Sequence, residues 1–169
     1  YENDKETRVY PYENLFAHAV GYASNGKYGI ESLSNYYLIN SNAKLADKVA
    51  SEVAGNKYPG DSVVTTLDVD VPEGAFKSLG IYKGAIIVSE PSTGKIIAMV
   101  SKPDFDPNEI DVIWKDLMED KESTVLLNRA TQGLYPPGST FKIVTALEYI
   151  RENPDTYGNY SFQCPGWFA

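Results

Sequence analysis

Apolar residues recur at helical spacing between Pro11 and Ala54. They predict helices over Tyr12 to Val20, Gly29 to Leu38 and Ala43 to Val53, the last with Leu45, Val49, Ala50 and Val53 on one face. Gly55 stands where a C′ residue would stop that helix. Gly55 to Asp61 gathers Gly, Asn, Pro and Asp, the composition of a connection, and a domain boundary is expected near residue 60. The pattern then changes. SVVTTLD is rich in β-branched residues and predicts a strand, and VPEGAFKSLG predicts a short helix with Pro72 near its start and Gly80 just past its end. GAIIVSE and KIIAMVS, joined by Pro-Ser-Thr-Gly, predict an antiparallel hairpin. Both strands are nearly continuous in apolar residues, so a larger sheet covered on both faces is expected around them; a two-stranded hairpin alone is marginal in water. Ile110, Ile113, Trp114 and Leu117 define an amphipathic helix over Asn108 to Asp120, with Asn108 as its cap. GLYPPG stiffens the approach to STFKIVTALEYIREN, a helix that Pro154 ends. No internal repeat is present.

Composition narrows the possibilities. A chain of 169 residues with 43% hydrophobic and 22% charged residues can bury a core, which excludes the disordered class. A net charge of -8 argues against a nucleic-acid partner, because such binding rests on neutralising phosphates with Lys and Arg. One Cys, Cys164, and one His, His18, are too few for a disulfide scaffold or a zinc module, and no metal or cofactor is expected. The longest apolar stretches are far short of the roughly 20 residues that span a bilayer. The chain opens on YENDKETRVY and closes on CPGWFA, with Trp167 and Phe168 left without a following element, so both ends are expected to be cuts in a longer protein.

Four positions fit Ser-x-x-Lys: Ser24 with Lys27, Ser41 with Lys44, Ser92 with Lys95, and Ser139 with Lys142. Context separates them. The first contains a turn glycine and the third lies in the hairpin connection, while Ser41 reads as a helix N-cap and Lys44 as a solvated side chain. Ser139 and Lys142 begin a long apolar helix, where residues i and i+3 share a face and the first-turn N–H groups favour a developing anion. A Ser hydroxyl is weak until a base takes its proton. For Lys to do so its pKa must fall from about 10.4 toward 7, which costs roughly 4–5 kcal/mol and must come from burial or a neighbouring cation. The bland alternative is a Ser that caps the helix and a Lys that snorkels.

The block LNRATQGLYPPGSTFKIVTALEYI resembles the stretch around the active-site serine of penicillin-binding proteins, particularly the monofunctional class B transpeptidases. KGAIIVSEPSTGKIIAMVSKPDFDPN and DSVVTTLDVDV are similar to the family in order and spacing, and FAHAVGY and GIES are similar to the segment before its catalytic domain. The resemblance implies an α+β fold: residues 1–60 the end of a non-catalytic pedestal, and residues 61–169 the front of a transpeptidase domain holding its leading antiparallel hairpin plus helices. It implies attack by Ser139 on the penultimate carbonyl of a D-Ala-D-Ala peptidoglycan stem peptide, Lys142 as general base, and acylation of the same Ser139 by β-lactams. By the same resemblance the family works outside the cytoplasmic membrane on an N-terminal anchor. That anchor is absent from the sequence, and the chain itself is expected to be soluble.

The family's second motif, Ser-x-Asn, and its third, Lys-Thr-Gly, are absent. With them go a proton-relay partner and one oxyanion-hole donor, whose loss costs about 3–4 kcal/mol in comparable sites, so the chain alone is expected to be inactive or nearly so. The rival readings are a non-catalytic penicillin sensor and a cell-wall scaffold module. Missing strands leave sheet edges that invite strand-exchanged oligomers. His18 reads as a hydrogen-bonded structural residue, Arg129 as structural, and Asp104, Asp106 and Asp111 as a solvated loop rather than a cation site.

Overall fold

The computed structural model describes residues 7–56 and 58–166. The chain forms two compact units, Tyr1–Gly133 and Leu134–Ala169. Its class is α+β: among the described residues, short helices with one antiparallel hairpin.

In the first unit the opening helical pattern forms as a 3₁₀ turn, Glu13–Phe16, running into α1, Ala17–Val20. Gly21 ends α1 at φ +86°, and a Cβ there would stand 1.9 Å from the Tyr28 carbonyl oxygen. Only glycine permits that approach. The Tyr28 N–H then closes the loop onto the Tyr22 carbonyl at 3.1 Å.

The helix expected over Gly29 to Leu38 is two helices, α2 (Gly29–Leu33) and α3 (Asn35–Ile39). Ser34 interrupts them, its carbonyl accepting from both Tyr37 and Leu38. Helix α4 spans Leu45–Val53. Ser41 is not its cap: the Ser41 hydroxyl accepts the Ala43 N–H at 3.2 Å, which spends it on a turn before the helix begins. Gly55 does stop α4, at φ +74°. The Gly55 N–H bonds the Glu52 carbonyl and the Asn56 N–H the Ser51 carbonyl, the two bonds of a Schellman motif.

The SVVTTLD segment is extended but forms no regular strand. The Asp68 N–H donates to the Ile97 carbonyl at 2.9 Å, while the Thr66 hydroxyl occupies the Ile96 carbonyl, displacing the backbone donor a ladder would place there. Asp68 next accepts from the N–H groups of Asp70 and Val71 and opens α5, Asp70–Leu79, with Pro72 buried in its first turn.

Helix α5 packs on both strands of the hairpin, β1 (Gly84–Glu90) and β2 (Lys95–Lys102). Register runs from Gly84 opposite Lys102 to Val88 opposite Ala98, then slips so that Ser89 faces Ile96. Ile97 is therefore the extra residue of a bulge, and it is the residue whose carbonyl receives Asp68. Among the described residues the sheet has two strands and is not covered on both faces: Ala98 and Val100 are buried, while Ile87 and Val88 stand open to solvent. The Lys102–Pro103 peptide is cis.

A 3₁₀ turn, Pro107–Glu109, leads into α6, Ile110–Glu119. The 3₁₀ turn is capped by Asp106, whose carboxylate accepts the Asn108 N–H at 2.8 Å. Asn108 is not the cap, because its amide is bonded to Tyr10. The core joins both ends of the unit: Ala17 and Tyr22 pack with Phe105 and Ile110, and the Tyr22 ring meets Phe105 and Trp114 edge-on, each with centroids 5.9 Å apart. Helix α7, Arg129–Gln132, closes the unit.

In the second unit a 3₁₀ turn, Gly138–Phe141, runs into α8, Lys142–Glu152. Asn153 bonds the Tyr149 carbonyl through both its backbone and side-chain N–H groups and ends the helix, with Tyr160 edge-on to Tyr149 at 5.1 Å. Ile143, Val144 and Leu147 remain exposed.

Candidate active site

Of the four Ser-x-x-Lys positions, three are taken up by local structure. Lys27 is bonded to Asn35, Ser41 to its turn, and Ser92 and Lys95 lie at the hairpin connection. Ser139 and Lys142 differ. Both lie in one continuous helical stretch, Ser139 in the 3₁₀ turn and Lys142 as the first residue of α8. With three residues per 3₁₀ turn, side chains at i and i+3 eclipse, which places the two functional groups on one face.

The helical start follows from the residues before it. Pro136 and Pro137 have no N–H to lose, Gly138 adopts φ +52°, and the Pro137 carbonyl accepts from the Thr140 N–H at 3.1 Å and the Thr140 hydroxyl at 2.5 Å. Thr140 is thereby turned onto the backbone. The Ser139 hydroxyl and the Lys142 ammonium make no hydrogen bond or ion pair among the described residues, and both are exposed. The Ser139 N–H is likewise unengaged and lies at the positive end of the α8 dipole. Chemically this is an available hydroxyl one turn from an amine, with one N–H able to face a developing oxyanion. The burial that would turn that amine into a base is not provided by the described residues.

The residues set aside at the sequence level have structural occupations. His18 is buried, its Nε2–H donating to the Val125 carbonyl at 2.8 Å and its ring edge-on to Phe105. Burial holds its pKa below the ordinary 6.5; the Val125 carbonyl and Asp104 oppose that shift and Arg129 reinforces it. Arg129 itself is fixed on the carbonyl and hydroxyl of Thr124. Asp104 accepts from Asn14 at 2.6 Å, Asp111 from Asn25 at 2.6 Å, and Asp106 caps a helix, so the three carboxylates are dispersed onto separate partners. Burial, with the Glu31 carboxylate adding to it, pushes the Tyr10 phenol up to about 12.

Two residues the sequence reading passed over organise the segment that ends the first unit. Asn128 is buried, donates to the His18 carbonyl at 3.1 Å and accepts the Ala130 N–H at 3.0 Å, capping α7. Ser101, at the end of β2, donates to the Leu127 carbonyl and accepts the Arg129 N–H at 3.0 Å. The signal for Asn128 was present as an Asn directly before a short helix; the signal for Ser101 was not. Asn128 also borders a cleft of about 690 Å³ in the first unit, lined with His18, Tyr28, Leu67 and Met99. No helix among the described residues is long and apolar enough to cross a membrane.

Comparison with known proteins bears on both ends of the chain. The model of the penicillin-binding protein transpeptidase domain matches residues 84–161, and that of the penicillin-binding protein A dimerisation domain matches residues 1–63. The peptidoglycan D,D-transpeptidase PbpA of Mycolicibacterium smegmatis is 36% identical over 160 residues, covering 85% of this chain and 32% of the relative. MrdA of Escherichia coli K12, also a peptidoglycan D,D-transpeptidase, is 29% identical over 204 residues, covering 95% of this chain and 31% of the relative. Among solved structures, the imipenem acyl-enzyme of penicillin-binding protein A from M. tuberculosis superposes with a TM-score of 0.74 at 32% identity, covering 86% of this chain and 37% of that one. The D,D-transpeptidase domain of a peptidoglycan glycosyltransferase from Eggerthella lenta gives 0.73 at 31%, covering 91% and 33%. The chain thus spans about a third of the length of these relatives. By two family models in sequence order and a fold shared with these structures, the chain belongs to the class B penicillin-binding proteins.

Proposed function

We propose that the chain supplies the front of a serine D,D-transpeptidase, with residues 1–60 ending a non-catalytic pedestal and residues 61–169 opening the penicillin-binding domain. The observation that carries this is Ser139, unengaged at the start of α8 and one turn from Lys142, inside the segment that matches the transpeptidase model. Ser139 Oγ attacks the penultimate carbonyl of a D-Ala-D-Ala stem peptide as its proton passes to Lys142; the C–N bond breaks and the terminal D-Ala leaves as the amine with the proton that Lys142 hands on, after which a stem-peptide amine attacks the ester, its proton returning to Ser139 Oγ as the C–O bond breaks. The relatives named above as transpeptidases and a neighbour held as an imipenem acyl-enzyme support this chemistry and a β-lactam as its inhibitor. Its place of work is the outer side of the cytoplasmic membrane, where peptidoglycan lies.

Because Lys142 is exposed and the second and third motifs are absent, this chain alone is expected to acylate slowly or not at all. The test is labelling with a fluorescent penicillin of this chain, of a longer form extended to the relatives' length, and of Ser139→Ala in each. Label on the longer form that Ser139→Ala abolishes supports the proposal. Label unchanged by Ser139→Ala contradicts it. A longer form that acylates without turning stem peptide over identifies a sensor, and one that takes no label identifies a scaffold. Self-association is proposed with it, from the match of residues 1–63 to the dimerisation model. Strand exchange at the hairpin is one route to it.

A further inference from the structure

Asn25 is the only asparagine of the chain that glycine follows. The pair lies in the loop between α1 and α2, Asn25 at φ +53° and Gly26 at φ +96°, and both residues are exposed. The Gly26 N–H donates to no group among the described residues. A Cβ built on Gly26 would meet nothing within 4 Å, so no distant part of the chain crowds the approach of that nitrogen to the Asn25 side chain. The Asn25 amide also carries a structural contact. Its Nδ2–H donates to Asp111 Oδ1 at 2.6 Å, which ties this loop to the first turn of α6.

We infer that Asn25 is a site of spontaneous deamidation, and that the reaction unfastens the loop from α6. Asparagine is among the thermolabile side chains, and a following glycine leaves the attacking nitrogen unshielded. The Gly26 backbone nitrogen attacks Asn25 Cγ and gives its proton to solvent. The Cγ–Nδ2 bond breaks, ammonia leaves with a proton taken from solvent, and a cyclic succinimide remains. Water then adds to either imide carbonyl and opens the ring as aspartate or isoaspartate. The net exchange is water in and ammonia out. Both products carry a carboxylate, which only accepts hydrogen bonds, in place of the amide that donated. The bond to Asp111 is thereby replaced by repulsion between like charges at short range. Isoaspartate also adds a methylene to the backbone of the loop.

The whole chain, held at physiological temperature in mildly alkaline buffer and digested at intervals, tests the first part by peptide mass mapping and enzymatic isoaspartate methylation. A sample digested without incubation sets the background. Asn40 is the internal standard, being exposed and bonded through its own amide to the Tyr36 carbonyl but followed by Ser41. Conversion at Asn25 severalfold faster than at Asn40, with methylation lost in Asn25→Gln, is the expected result. Conversion no faster than at Asn40 overturns the site. For the second part, Asn25→Asp reproduces the aspartate product and should lower the urea midpoint. Adding Asp111→Asn restores a donor opposite an acceptor and should return most of that loss, which a merely structural defect at residue 25 would not do. An unchanged midpoint in Asn25→Asp, or a loss that Asp111→Asn does not relieve, overturns the unfastening.

Discussion

Asn108 and Tyr10, 98 positions apart, are joined by two hydrogen bonds: the Tyr10 N–H donates to Asn108 Oδ1 at 2.8 Å, and Asn108 Nδ2–H donates to the Tyr10 carbonyl at 2.9 Å. One amide satisfies both backbone groups of one residue and ties the start of the chain to the loop before α6. Asn108→Ala removes both bonds. At about 1 kcal/mol net for each, it should lower stability by about 1–2 kcal/mol in urea unfolding. Asn108→Asp keeps the acceptor and loses the donor, and should fall between the two.

Asn128 makes the corresponding tie in the interior. Asn128→Ala leaves the His18 carbonyl and the Ala130 N–H without partners beside a buried site. Stranding buried polar groups costs about 1–3 kcal/mol each, so a loss of about 2–4 kcal/mol is expected, larger than at Asn108. Thermal denaturation of the two variants side by side gives the order.

His18 makes stability depend on pH, with a definite sign. Its folded pKa lies below the ordinary 6.5, so below that pH the unfolded chain takes up a proton that the folded chain resists. The contribution is complete above about pH 6.5 and is lost as pH falls, no faster than about 1.4 kcal/mol per pH unit. Unfolding free energies at pH 7.5 and 5.0 should differ more in the wild type than in His18→Gln, whose amide can still donate to the Val125 carbonyl. Equal differences in both proteins would remove His18 as the cause.

Gly21→Ala should be the most damaging single-atom change in the first unit. The added Cβ would meet the Tyr28 carbonyl at 1.9 Å with φ at +86°, and both the clash and the left-handed backbone oppose it. A loss of about 3 kcal/mol or more is expected from the mechanisms that produce large effects. Gly26, also at positive φ but with open space around it, should lose far less on the same substitution.

What could be read from the sequence was local. The hairpin, α5, α6 and the glycine stop of α4 follow from periodicity and turn chemistry within a few residues of themselves. So does the placement of Ser139 and Lys142 in one helical stretch, which needs only a helix start and a spacing of three. What could not be read depends on partners far along the chain. Asn108 resembled a cap, but Asp106 two residues earlier does that work while Asn108 is spent on Tyr10. Thr66 sits in a strand-like run, but its hydroxyl takes the Ile96 carbonyl and interrupts the ladder. His18 and Asn128 meet across 110 positions, and no window of sequence contains both.

The central claim is that Ser139 is a nucleophile, and covalent mass is its most direct measure. A form of the protein extended to the relatives' length, incubated with penicillin G and measured intact, should gain the mass of one penicillin. Peptide mapping should place that mass on Ser139, and Ser139→Ala should gain nothing. An adduct on any other residue, or an extended protein that stays unmodified while folded, would contradict the account.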